Sequence, residues 1–173
     1  MRGRKVEGAG KPEVIEVGGD GPLLIIHGGA GKRLHEMSAE QAREVDEALA
    51  RSLEAGYALL RDGAPAQDAV VAAIRVMEDA ECFNCGRGAA LTLDGTVELD
   101  SSIMLGDGSC GAACGLVSAR HPIDVACAVM ERTPHVLFSE PTTAQLDDWG
   151  IEQVPNDYFV TERRARDLAE FRE

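Results

Sequence analysis

An unbroken apolar run at residues 23–26 stops abruptly at His27-Gly28-Gly29-Ala30-Gly31. A short apolar run ending in glycines predicts a buried strand. Ser38 followed by Gln41 predicts a helix start with a capping box. Val45, Leu49, Leu53 and Leu60 then recur at near-helical spacing, and Gly63 predicts the stop. Pro65 suits the first turn of a second helix with an apolar stripe of Ala69, Val70, Ala73, Ile74 and Met77. Residues 82–88 form a compact glycine-rich loop. Strand-like runs at 89–93 and 96–99 flank Asp94-Gly95, the pattern of a hairpin.

Ile103-Met104-Leu105 precedes a second turn, Gly106-Asp107-Gly108. Residues 110–117 are small and apolar, as a strand sandwiched between layers would be. Pro122 opens a third helix with Val125, Ala126, Val129 and Met130 inward. A short strand is predicted at Leu137-Phe138, a short helix at 142–149 and a charged helix at 161–173. Residues 1–21, rich in glycine and charge, read as a mobile extension with a short strand at 14–17. Strands interleaved with helices, without repeats, give a layered α/β class, with residues 22–173 as one domain.

Charge narrows the partners. The net charge is −13 over 173 residues, which argues against nucleic acid and against an anionic membrane surface. No apolar run approaches the ~20 residues of a membrane span, and no signal peptide is visible. A cytoplasmic location is the resulting expectation. Three of the 17 basic residues are lysines and 14 are arginines, a bias that fits either a salt-adapted source or a GC-rich genome.

Gly28-Gly29-Ala30-Gly31-Lys32 fails as a phosphate loop. Ile26 stands where the first glycine belongs, and Arg33 stands where a hydroxyl would ligate Mg²⁺. Cys82-x-x-Cys85 with Cys110-x-x-x-Cys114 has the residue types of a zinc site. Small buried thiols on one face of a strand explain the second pair equally. His27, His35, His121 and His135 show no i, i+4 pairing, and no serine sits in a Gly-x-Ser-x-Gly elbow. The residues alone therefore compose no complete catalytic constellation.

Several segments in register carry a resemblance. Ile26-His27-Gly28-Gly29-Ala30-Gly31, Phe83-Asn84-Cys85-Gly86-Arg87-Gly88, Glu98-Leu99-Asp100-Ser101-Ser102-Ile103-Met104, Pro122-Ile123 and Val129-Met130-Glu131-Arg132-Thr133-Pro134-His135-Val136 together resemble the plant-type asparaginase / isoaspartyl peptidase family. The resemblance implies an N-terminal-nucleophile hydrolase with an αββα sandwich, cut before a threonine into an α and a β chain. That threonine attacks the side-chain amide of asparagine or a β-aspartyl peptide bond, and its own α-amine takes the proton. This chain resembles the α subunit, or α-chain half of the sandwich, with the nucleophile on a β chain. Thr96 lies in the 89–99 hairpin and is not that threonine.

By the same resemblance Gly28 and Gly29 match the loop that strains the cleavage site. Asn84 matches a residue that orients the nucleophile. Backbone carbonyls of Met77, Glu78, Ala80, Phe83, Cys85 and Arg87 match a loop that holds a structural sodium ion. No cofactor is implied for the chemistry, and the assembly implied is a heterotetramer of two α/β pairs. Cys110-Gly111-Ala112-Ala113-Cys114-Gly115, the lengthened turn at residues 105–108 and Ser139-Glu140-Pro141 depart from the family pattern. Two rivals are a non-catalytic truncated paralogue and a zinc-binding interaction module on Cys82, Cys85, Cys110 and Cys114.

Overall fold

The computed structural model describes residues 21–29 and 37–173. The expected strand at 14–17, nearly all of the expected extension at 1–21, and Ala30, Gly31 and Lys32 lie outside the described residues.

Helix α1, Ala39–Arg61, starts with the expected capping box: Gln41 donates its backbone N–H to the Ser38 side chain, and the Gln41 side chain accepts from the Ser38 N–H. It stops at Gly63, whose φ is +82°. There the Ala64 N–H reaches the Leu59 carbonyl and the Gly63 N–H reaches Leu60, the paired bonds of a left-handed helix end. The buried face differs from expectation. Val45, Leu49 and Leu60 are only half-buried and Leu53 is exposed, whereas Ala48, Ser52 and Gly56 are fully buried. These small residues recur every four positions and let α1 press against helix α2, Ala66–Glu78, at its buried Ala69 and Ala73. A Cβ on Gly56 would stand 2.6 Å from the Ala69 carbonyl, and the Ser52 hydroxyl donates to the Ala73 carbonyl at 2.8 Å. Pro65 is the N-cap of α2 rather than part of its first turn.

Strands β1, Leu99–Met104, and β2, Cys110–Leu116, pair antiparallel around the expected turn, and β3, Leu137–Ser139, adds parallel to β2 in the order β1-β2-β3. A bulge near Asp100, whose carboxylate accepts the Gly115 N–H at 3.2 Å, rephases β2 so that Leu116 returns to the core. Helix α3, Pro122–Arg132, covers one face of the sheet with Ile123, Val125, Ala126 and Val129 buried. The other face carries Met104, Cys110, Ala112, Cys114 and Leu137, with Met104 72% and Leu137 59% exposed. Among the described residues β2 is therefore covered on one side, and the second layer expected over it is not seen there. The class is mixed α/β, with a single three-stranded sheet among the described residues.

Two further strand expectations are not met among the described residues. Residues 23–26 are extended without a strand partner among the described residues, with Leu23 and Ile25 exposed and only Leu24 and Ile26 turned inward. The Asp94-Gly95 turn does form: the Thr92 N–H reaches the Thr96 carbonyl at 2.8 Å. Its arms do not continue as strands, because Asn156 captures Val97 instead. The Asn156 Oδ1 accepts the Val97 N–H at 2.9 Å, and its Nδ2 donates to the carbonyls of Val97 and Val117. Asn156 belongs to a 3₁₀ turn, Asn156–Phe159, absent from the sequence-based expectations, which buries Phe159 completely. Helix α4, Thr143–Asp148, has the Thr142–Gln145 capping box, and α5, Glu162–Arg172, closes the chain. Among the described residues no helix is long and apolar enough to cross a membrane.

Candidate functional site

The extended segment 24–27 and strand β1 leave a groove of about 360 Å³ between them. Its walls are residues 24–27 on one side and Asp100, Ser101 and Ser102 on the other; α2 supplies Val70, Ala73, Ile74, Met77 and Glu78, and Cys85 and Ile123 complete the lining. Strand β1 is at the edge of the described sheet, so among the described residues its outer backbone groups have no ladder partner, a template for a further strand.

Two distant motifs meet beside this groove. A Cβ on Gly28 would lie 3.3 Å from the Phe83 ring and 3.0 Å from Leu49, which sets the His-Gly-Gly turn against the loop that carries Asn84. Gly29 has φ +112° with open space around its Cα. Asn84 is exposed, and its Oδ1 accepts the Ala90 N–H at 2.6 Å. Thr96 pairs its hydroxyl with that of Thr92 in the turn at residues 92–96.

The loop after α2 is closed by backbone contact. The Arg87 N–H donates to the Glu78 carbonyl at 2.7 Å. Gly88 has φ +90°, and a Cβ there would stand 2.3 Å from the Glu81 carbonyl, so only glycine closes this neck. Of the carbonyls expected to hold sodium, Met77, Glu78 and Ala80 each accept a backbone N–H, from Ala80, Arg87 and Phe83 respectively. A carbonyl has two lone pairs, so each keeps capacity for an ion. An all-oxygen donor set is the chemistry that suits a hard cation.

Zinc fares differently. Among the described residues no three His, Cys, Asp or Glu side chains gather as a metal site. Burial pushes the Cys85 thiol up to about 12, with the Glu78 charge and Cys82 adding to it, and burial also raises Cys82. With no such gathering, the expected four-cysteine zinc site is not assembled among the described residues.

Glu78 is the feature that sequence reasoning missed. Its residue is 2% exposed, yet it ends an apolar stripe. Its Oε1 accepts the Ile123 N–H at 2.9 Å, which serves as a remote cap for α3, whose own N-cap His121 makes no side-chain cap bond. Oε2 is buried without a partner. Burial raises this carboxyl to about 9, with Asp124 and Asp79 pushing upward and the Ile123 hydrogen bond and Arg75 pulling down. The signal lay in the spacing, since Glu78 stands four residues after Ile74 on the inward face.

Its neighbour Asp79 organises a polar cluster outside the groove. Arg120 lies 3.3 Å away, the Tyr158 hydroxyl donates at 3.1 Å, and His121 Nε2 sits 3.2 Å off but poorly aligned for a hydrogen bond. Burial alone would raise Asp79; His121, Tyr158 and Arg120 outweigh it and hold the carboxyl below its ordinary range. Arg87 and Arg120 both stack on the Tyr158 ring, 5.3 and 5.8 Å from its centre.

A family model described as asparaginase matches residues 20–173. The chain is 36% identical over 149 residues to the isoaspartyl peptidase/L-asparaginase of Homo sapiens, covering 85% of this chain and 47% of that protein. It is 40% identical over 149 residues to the isoaspartyl peptidase of Salmonella typhimurium, covering 84% and 48%. It is 40% identical over 147 residues to the probable isoaspartyl peptidase/L-asparaginase 2 of Arabidopsis thaliana, covering 82% and 44%. The chain thus spans about half the length of these curated relatives.

Proposed function

This chain belongs to the asparaginase family, and from that membership we propose that it is the α-subunit portion of an autoprocessed, threonine-dependent amidohydrolase acting on L-asparagine or β-aspartyl peptides. A β chain beginning with the nucleophilic threonine completes it. The observation that carries this reading is the groove between residues 24–27 and the edge strand β1, where both walls have extended backbone without a ladder partner among the described residues. A strand donated by the complementary half would satisfy both walls and extend the sheet. The open sheet face with Met104 and Leu137 would receive the second sheet of an αββα sandwich. Coverage of about half of each relative supports a missing half.

In this reading the threonine hydroxyl attacks the substrate's side-chain carbonyl as the α-amine accepts its proton. The tetrahedral intermediate expels ammonia or an amino group, and water then cleaves the acyl-threonine to release aspartate. Gly28 and Gly29 border the cleavage point, and Asn84 orients the threonine. Sodium held on the carbonyls of Met77, Glu78, Ala80, Phe83, Cys85 and Arg87 would stiffen the loop without entering the chemistry. Two α/β pairs assemble as a heterotetramer, in the cytoplasm.

The test is to express the full-length protein and follow aspartate release from L-asparagine and from a β-aspartyl dipeptide, with a gel to detect cleavage before a threonine. Release from at least one substrate, dependent on that cleavage, is expected. An intact, folded protein that hydrolyses neither would refute the reading.

A further inference from the structure

The last helix, α5, buries none of its residues. With no buried residue of its own, it needs something other than core packing to hold it in place. Three arginines supply it, each donating to a backbone carbonyl on the loop that precedes the sheet. Arg163 Nη2 donates to Glu81 at 2.5 Å and Arg164 Nε to Gly88 at 2.6 Å, while Arg172 Nη2 donates to Leu93.

The positions of the first two contacts are what matters. Glu81 and Gly88 are in backbone contact at the loop neck, where a Cβ on Gly88 would collide with the Glu81 carbonyl. Arg163 and Arg164 therefore grip both sides of one closure, and Asn84 lies inside it. Neither gripped carbonyl belongs to the set expected to face an ion. The grip is itself anchored. The buried Thr161 caps α5 through the Arg164 N–H, and the Gly88 N–H donates to the Phe159 carbonyl at 2.9 Å. Adjacent arginines at the head of a helix thus close the loop as a two-pronged clamp.

We propose that Arg163 and Arg164 are positioning residues, which hold the loop neck shut and thereby fix Asn84 where the nucleophile is presented. The clamp itself stands on the geometry above; its catalytic consequence rests on the function proposed for Asn84.

The test uses the full-length protein with Arg163→Met and Arg164→Met together, read by amide hydrogen exchange and by steady-state kinetics. Each lost contact is a hydrogen bond from a charged donor, so exchange within residues 82–90 should accelerate roughly tenfold or more while α3 and β2 amides are unchanged. A displaced Asn84 should lower kcat on the order of ten- to a hundredfold with KM within about twofold. Arg163→Lys with Arg164→Lys retains one charged donor at each place and should restore most of the protection and most of kcat. Unchanged loop exchange in the methionine variant refutes the clamp. Faster loop exchange with unchanged kcat refutes the positioning of Asn84. Wild-type protein inactive on both substrates would instead count against the proposed function, and the exchange measurement would still read the clamp.

Discussion

Replacing Glu78 by glutamine should change the pH dependence of stability with little change in structure. The carboxyl is raised to about 9 by burial, from an ordinary value of 4.5. In the unfolded chain it is ionised at neutral pH, whereas in the folded chain it holds its proton. The folded state therefore binds the extra proton between those two values, and stability falls as pH rises through that interval. The contribution is fully present below pH 4.5 and lost above the folded value. At pH 7 the loss amounts to about 3 kcal/mol, a large share of the ~5–15 kcal/mol typical of a domain. Glutamine keeps the shape of the protonated acid, its Oε1 can still accept the Ile123 N–H, and it does not titrate. Urea unfolding at pH 4.5 and pH 7 should show the wild-type chain losing about 3 kcal/mol relative to E78Q over that step. Asp79, held below its ordinary range, acts with the opposite sign and at lower pH, so it does not mimic the effect. Parallel slopes for wild type and E78Q would refute the argument.

Asn156→Ala removes the partners of the Val97 N–H and of the Val97 and Val117 carbonyls. A loss of about 2–4 kcal/mol in urea unfolding is expected, and a change below about 0.5 kcal/mol would show that water replaces the amide. Gly111→Ala would place a Cβ 2.2 Å from the Ala126 carbonyl, so α3 must shift on the sheet at a cost of about 1–3 kcal/mol, visible as a lowered Tm. Protein purified without added zinc should contain far less than one zinc per chain by elemental analysis, because the cysteines do not gather. The 173-residue chain expressed by itself should self-associate through its open sheet face; a sharp monomer in light scattering with a cooperative melt would contradict this.

The elements readable from sequence are those whose determinants lie within a few residues of one another. Ser38 with Gln41 and the turn between Met104 and Cys110 are local hydrogen-bonding arrangements, and both appear as expected; Thr142 with Gln145, at the head of the expected short helix, is local in the same way. What could not be read has its partner far away in sequence. Asn156 takes the arm of a hairpin 59 residues upstream, and nothing near Val97 announces it. The small residues Ala48, Ser52 and Gly56 outrank the leucines of α1 because the contact is set by how close α2 can come, which depends on Ala69 and Ala73. The strand expected at 23–26 is the instructive failure. Its composition is that of a buried central strand, and the described residues provide no neighbour to bury it. A sequence that encodes interior character at a position lying outside is evidence about a missing partner rather than an error in reading the pattern.

The candidate site divides along the same line. The His-Gly-Gly turn and the Asn84 loop were legible as motifs, yet their adjacency rests on a single close approach between Gly28 and the Phe83 ring, which no spacing rule contains. The groove joins residue types that look unremarkable in sequence: an edge strand, an unpaired segment and a glutamate on an apolar stripe. Each is costly in isolation, through unpaired backbone, exposed isoleucine and a buried carboxyl oxygen without a partner. All three belong to residues that line one groove. Independent defects would have no reason to converge, whereas one inserted strand would relieve the first two, and a polar side chain on its inward face would relieve the third.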